Sequence, residues 1–230
     1  MISKGGNMIK AVFFDWMNTL AHPEPDRHEQ YCQAARELGI KLSPEKVIRG
    51  ICVADNQVPA GIPPKWSEEK DQEPFIRFQE IILAEAGVKL PRDMILKLIK
   101  GFKRLLEAAT FVLYGDVPPT LKTLKQKGLV LGLISNLYIG RAGLEPYLDF
   151  MVTSKEVGSN KPEPPIFLAA LERAGVKASE AVYVGDQYDT DVVGARGVGI
   201  KPILIDRYDL MPEVSDCPRI HSLTEVMEHI

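Results

Sequence analysis

A chain of 230 residues, 45% hydrophobic and 26% charged, is long enough for one large domain or for a core with a smaller inserted unit, and can bury a substantial apolar interior. Its formal net charge of -3 offers no general basic face for nucleic acid or an anionic membrane, and no apolar run approaches the ~20 residues of a membrane-spanning helix. Cys32, Cys52 and Cys217 are widely spaced, without a CxxC pair, and read as free thiols of a cytoplasmic protein rather than as a disulfide framework or zinc site.

Residues 1–7 are polar and Gly-containing, which predicts a flexible extension rather than a secretory signal. Ile9 to Phe14 is apolar, β-branched and aromatic, reads as a buried strand, and runs straight into Asp15-Trp16-Met17-Asn18-Thr19. Asp15 either caps that turn or serves as a reactive group, since ligands of open α/β sheets collect beyond the carboxyl ends of the strands.

His22-Pro23-Glu24-Pro25 reads as a turn that cannot continue regular structure. Asp26 with Glu29 forms a capping-box pattern opening a helix that Gly39 closes, and Ser43-Pro44 opens another. Segment 58–66, with three prolines and a glycine, reads as loop. A helix through Phe75, Phe78, Ile82 and Leu83 follows, with the two phenylalanines read as its core face. Pro91 then opens a longer helix reaching Leu106. No strand pattern occurs between Pro25 and Ala109, so residues 22–109 are expected to be an all-helical unit inserted between core segments 8–21 and 110–230.

From Asp116 the pattern becomes repeated βα units. A helix over 118–127 precedes the strand Leu129–Ile134, which delivers Ser135 and Asn136. The short strand Phe150–Val152 leads to a polar loop ending in Lys161-Pro162, followed by a helix bearing Ile166, Phe167, Ala170 and Leu171. The strand Ala181–Gly185 presents Asp186, Thr190 to Ala195 reads as helix, Ile203–Asp206 is the last strong strand, and Ser222 with Glu225 caps a closing helix. Nearly unbroken apolar strands alternating with helices predict an α/β fold with a Rossmann-like parallel sheet covered on both faces.

In a parallel sheet all carboxyl ends share one edge. Asp15, Ser135 with Asn136, Lys161, and Asp186 with Asp191 can therefore converge there. A carboxylate, a hydroxyl and amide, an ammonium and a further acidic pair are suited to transferring an anionic group. Taken singly, Ser135 and Asn136 could cap a helix, Lys161 could be a solvated loop residue, and Asp186 could be a turn residue. Asp189 reads as exposed.

These four motifs in this order resemble the haloacid dehalogenase-like superfamily, Rossmann-like hydrolases with a helical cap inserted after the first strand. The resemblance spans Val12 to about Asp206. It implies that Asp15 is the nucleophile, forming an aspartyl intermediate. Thr19 and Ser135, with Asn136 beside them, would bind phosphoryl oxygens, and Lys161 would neutralise charge on the nucleophile and the transferring group. Asp15, Asp186 and the backbone carbonyl of Met17 would hold Mg²⁺, with Asp191 as a supporting acid orienting a metal water or Lys161. The expected substrate is a small, phosphorylated metabolite chosen by the cap.

Phosphatases of this family usually carry a second Asp two residues after the nucleophile, where it protonates the leaving group. This chain has Met17 there, and a thioether transfers no proton. Three readings follow: a slow hydrolase, or one specialised for good leaving groups; a phosphonate- or haloacid-cleaving relative; or a phospho-ligand binding protein with little or no turnover. The phosphonate branch uses a cap lysine, and Lys41, Lys46, Lys65 and Lys70 are candidates without a matching motif.

Overall fold

The computed structural model describes residues 8–58, 72–136, 143–144 and 146–230. The 1–7 extension, nearly all of the 58–66 loop, Lys65 and Lys70 lie outside the described residues.

The central strand is β1 (Ala11–Phe14). It lies in a six-stranded sheet with β4 (Val130–Ser135), β5 (Phe150–Thr153), β6 (Ala181–Gly185), β7 (Lys201–Ile205) and β8 (Arg219–Ile220), ordered β5-β4-β1-β6-β7-β8. Every pairing is parallel, with Phe14 opposite Leu133 on one side and Val184 on the other. The chain builds outward from β1 through β4 to β5 and then crosses back to begin again with β6. This reversal of strand order at β1 is where a crevice forms beyond the carboxyl ends.

Strand alternation sends Val12 and Phe14 to one face and Ala11 and Phe13 to the other. The first face buries Leu131, Leu133, Val182 and Val184 with Val117, Leu121 and Leu124 of α5 (Val117–Gln126). The second buries Ile134, Val152 and Tyr183 with Ile166, Phe167 and Ala170 of α7 (Pro164–Ala174). Gly132 lies beneath the edge-to-face pair of Phe13 and Phe150, whose centroids are 5.9 Å apart. A Cβ at Gly132 would meet the Phe150 ring at 2.5 Å, so that strand position requires glycine.

The chain divides into two compact units, one taking in Met1–Ala21 and Leu113–Ile230, the other His22–Val112. The second unit contains α1 (Arg27–Glu37), α2 (Pro44–Gln57), α3 (Glu73–Glu85) and α4 (Arg92–Ala108), packed around Tyr31, Val47, Ile82, Leu98 and Phe102. The Asp26–Glu29 capping box forms as the sequence predicts. Phe75 is buried in this core, with Phe78 packed against it.

Two expectations need correction. Ala21–Glu24 is a strand, β2, rather than a turn, and it pairs with β3 (Thr110–Leu113), so the inserted segment is not purely helical. A two-stranded ribbon consists only of edge strands, where the missing N–H of Pro23 is tolerated. The helix expected over 190–195 is a wider π-helical turn, Tyr188–Val193, continued by the short α8 (Gly194–Gly197). The sequence reading also omits α6 (Ser154–Val157) and β8. The capping box of Ser222 and Glu225 is present, on a 3-10 helix, Leu223–Glu228.

Candidate active site

Asp15 is the first residue beyond β1, and its N–H donates to the Val184 carbonyl at 2.9 Å, extending the sheet ladder by one residue. Asp15 is 7% exposed, Lys161 4% and Asp191 1%, so three ionisable side chains converge out of water. The Lys161 ammonium donates to Asp15 Oδ1 at 2.5 Å, to Asp191 Oδ1 at 2.7 Å and to the Tyr183 hydroxyl at 2.9 Å. Tyr183 in turn donates to Asp191 Oδ1 at 2.9 Å. The Gln187 N–H occupies the other Asp191 oxygen at 3.1 Å.

Local structure fixes these groups. The π turn carries Asp191 over Gly185, and a Cβ on Gly185 would fall on the Asp191 carboxylate. Such widened turns are frequent at functional positions. Gly194 lies against Pro162, where an added Cβ would be 3.0 Å from the Pro162 Cα, so the helix approaches the Lys161 loop closely. The Asn136 amide clamps the Lys161 backbone from β4: the Lys161 N–H donates to Asn136 Oδ1 at 2.7 Å, and Asn136 Nδ2 donates to the Lys161 carbonyl at 3.1 Å.

Burial pushes the Asp15 carboxyl up to about 6; Lys161 pulls it down, while the Asp191 charge adds to the rise. Burial would lower the Lys161 ammonium, but Asp15 and Asp191 outweigh it and hold the ammonium well above its ordinary value. Tyr183 is driven well above the ordinary phenol value by burial and by the Asp191 and Asp15 charges, so it stays a neutral hydroxyl.

Oxygens of Asp15, Asp186 and Asp191 all lie within 4.8 Å of one another. Three carboxylates against one ammonium leave an excess of negative charge, and burial makes that excess costly. An all-oxygen, anionic set of this kind fits Mg²⁺. Lys161, Tyr183 and Gln187 engage both Asp191 oxygens, whereas Lys161 engages Oδ1 of Asp15 and Asn18 engages Oδ2 of Asp186.

Asp186 accepts from Asn18 Nδ2 at 3.0 Å, and Asn18 holds a left-handed backbone with φ 56. Thr19 is fully buried, and its hydroxyl has no hydrogen-bond partner among the described residues. Ser135 is buried at the end of β4. The Met17 side chain is partly buried against the core. Of the residues singled out from the sequence, Asp15, Lys161, Asp186 and Asp191 thus form one cluster, while both polar atoms of the Asn136 side chain are engaged with the Lys161 backbone. Sequence reasoning missed Tyr183, which reads as one more apolar strand residue, and Asn18. Asn18 follows the strand in a turn, where Asn is the residue type that tolerates φ > 0, and that was the available signal.

A family model described as haloacid dehalogenase-like hydrolase matches residues 9–199. A glyceraldehyde 3-phosphate phosphatase from Methanopyrus kandleri is 33% identical, covering 91% of this chain and 90% of that protein. Among solved structures, a HAD phosphatase from Thermococcus onnurineus is 25% identical with TM-score 0.55, covering 96% of this chain and 97% of the other. A 2-haloacid dehalogenase from Pseudomonas syringae pv. Tomato DC3000 is 27% identical with TM-score 0.57, at the same coverage. Among the described residues, no helix is long and apolar enough to cross a membrane.

Proposed function

The chain belongs to the haloacid dehalogenase-like hydrolases, and from that premise we propose that it hydrolyses a phosphate monoester of a small metabolite, with Asp15 as nucleophile. The observation that carries the reading is the buried pair of Asp15 and Lys161, 2.5 Å apart, with Asp186 in the same acidic cluster. The likeness to a phosphatase of glyceraldehyde 3-phosphate supports a small phosphorylated substrate.

An oxygen of Asp15 attacks phosphorus, the bond from phosphorus to the ester oxygen breaks, and an aspartyl phosphate forms. Water then attacks that phosphorus, releases inorganic phosphate and restores Asp15. Lys161 holds the attacking carboxylate against a fixed positive charge, and Asp191 and Tyr183 keep the ammonium from swinging away. The Thr19 hydroxyl, which has no partner among the described residues, would donate with Ser135 to the phosphoryl oxygens. Asn136 supports the site through the Lys161 backbone. Asp15, Asp186 and the Met17 carbonyl would hold Mg²⁺, which supplies positive charge to the carboxylate and the transferring group. Three free cysteines accord with the cytoplasmic location proposed with this activity.

Met17 cannot protonate the departing oxygen, so the reading is of a hydrolase for esters that leave readily as anions. Met17 and the 27% identity to a 2-haloacid dehalogenase favour a second reading, carbon–halogen cleavage by the same carboxylate. Asp186 in the acidic cluster favours the phosphatase. Turnover of an aryl phosphate with Mg²⁺ tests the proposal. Asp15→Asn should fall to background, and a variant as fast as the parent would overturn the nucleophile. Chloride release from a 2-haloacid in the presence of a chelator would replace the phosphatase with the dehalogenase.

A further inference from the structure

Arg207, two residues beyond β7, belongs to no motif and touches none of the clustered carboxylates, yet its side chain is about nine-tenths buried. Its Nε donates to the Asn18 carbonyl at 3.2 Å, and one Nη donates to the Thr19 carbonyl at 2.7 Å. The guanidinium also grips both oxygens of Asp116, at 3.0 and 3.2 Å, and sits over Tyr114 with its central carbon 3.8 Å from the ring centroid. Asp116 is anchored in turn by the Ser222 hydroxyl at 2.8 Å and the Leu223 N–H at 2.7 Å.

The two carbonyls held by Arg207 belong to the turn that follows Asp15. One is that of Asn18, whose left-handed backbone is open to Asn but sparsely populated, and the bond from Arg207 holds the turn in that conformation. Because a trans peptide is planar, fixing the Asn18 carbonyl also fixes the Thr19 N–H on the opposite side. The same constraint sets the Asn18 amide, which donates to Asp186 at 3.0 Å, and Thr19, whose buried hydroxyl lacks a partner among the described residues. Lysine could not substitute: a single ammonium lacks the planar fork that meets a carboxylate and two carbonyls at once.

We infer that Arg207 is a positioning residue that fixes the turn between Asp15 and Leu20 in its working conformation, with Asp116 and Tyr114 as its fixed mount. The inference about catalysis rests on the phosphatase reading above; the inference about the turn does not.

Hydrogen exchange of the full-length protein, followed by mass spectrometry, reads the turn directly. The Leu20 and Ala21 amides donate to the Trp16 carbonyl, and their protection depends on the turn being closed. In Arg207→Lys, peptides spanning 16–21 should exchange about tenfold faster, as expected when hydrogen bonds from a charged donor are lost, while the strands keep their protection. Turnover of an aryl phosphate and inhibition by inorganic phosphate should weaken together by a similar factor. Ser222→Ala, which loosens the Asp116 mount, should raise exchange at 16–21 by less than Arg207→Lys, whereas Arg173→Lys, whose partners are the Met151 carbonyl and Glu156, serves as the remote control and should change neither readout. Parent-like exchange at 16–21 in Arg207→Lys overturns the inference, as does an equal change in Arg173→Lys. If the parent turns over no phosphate ester, the phosphatase reading falls alone and the exchange result still decides the role of Arg207.

Discussion

The Tyr183 hydroxyl stands 2.9 Å from the Lys161 ammonium and completes its three donor positions, the other two being taken by Asp15 and Asp191. Lys161 is therefore held from three sides inside the protein. Under the proposed function it would act as a stationary counter-charge to Asp15, with its direction set in part by a tyrosine whose hydroxyl is held by burial well above the ordinary phenol value.

Tyr183→Phe removes that hydroxyl and keeps the ring stacked edge-to-face on Phe167 at 5.4 Å. One ammonium donor and one Asp191 acceptor then lose a partner. Turnover of an aryl phosphate should fall about tenfold, the typical effect of losing a hydrogen bond to a charged group. The ring packing should preserve the fold. Steady-state rates beside far-ultraviolet circular dichroism check both halves; an unchanged rate would remove Tyr183 from the site.

Lys161→Met leaves Asp15 and Asp191 facing each other without compensation. Breaking a buried pair in this way costs roughly 3–5 kcal/mol. Mg²⁺ should offset part of the loss, so added Mg²⁺ should raise the melting temperature of the variant more than that of the parent. Thermal melts with and without Mg²⁺ measure the difference, and equal shifts in the two proteins would count against a cation at this cluster.

Met17 gives a leaving-group test. Aryl and acyl phosphates should turn over far faster than alkyl phosphates in the parent, because a positioned acid is worth roughly 10² to 10⁴ in rate. Met17→Asp should narrow the gap. Equal rates on both ester classes in the parent would show that a proton reaches the leaving group by another route.

Asp116 ties stability to pH. Burial by itself would raise its carboxyl, but hydrogen bonds from Arg207, Ser222 and the Leu223 N–H outweigh burial and hold it below its ordinary value of 3.8. A carboxyl depressed in the folded state stabilises fully above the unfolded value and loses that contribution as pH falls through the folded value. Asp116→Asn should therefore melt below the parent at pH 7, and the gap should close as pH drops below 3.8. A gap that stays constant down to acid pH would mean that the charge of Asp116 contributes nothing.

The sheet was legible because buried parallel strands read as apolar runs, and Asp15 and Asp186 were legible because each follows such a run. Pairing partners were not. His22-Pro23-Glu24 carries every mark of a turn, and only its neighbour β3, nearly ninety residues later, makes it a strand. Tyr183 has the pattern of a core residue, and its hydroxyl acquires meaning only from a lysine supplied by another loop. Asn136 looked like an anion ligand at a strand end, whereas the fold spends both ends of its amide on the Lys161 backbone. Arg207 had no periodic or motif signal, since its partners in the turn are backbone carbonyls, which sequence does not distinguish, and Asp116 and Tyr114 lie about ninety residues away in sequence.

The position of β1 between β4 and β6 has a consequence for biogenesis. Asp15 is synthesised well before Val184, whose carbonyl receives its N–H. Lys161 and Asp191 are late as well. Throughout synthesis the carboxylate stays hydrated and ordinary, and it acquires its shifted acidity only when the last strands close over it. A product lacking β6 would carry Asp15 in sequence without the Val184 carbonyl that receives its N–H.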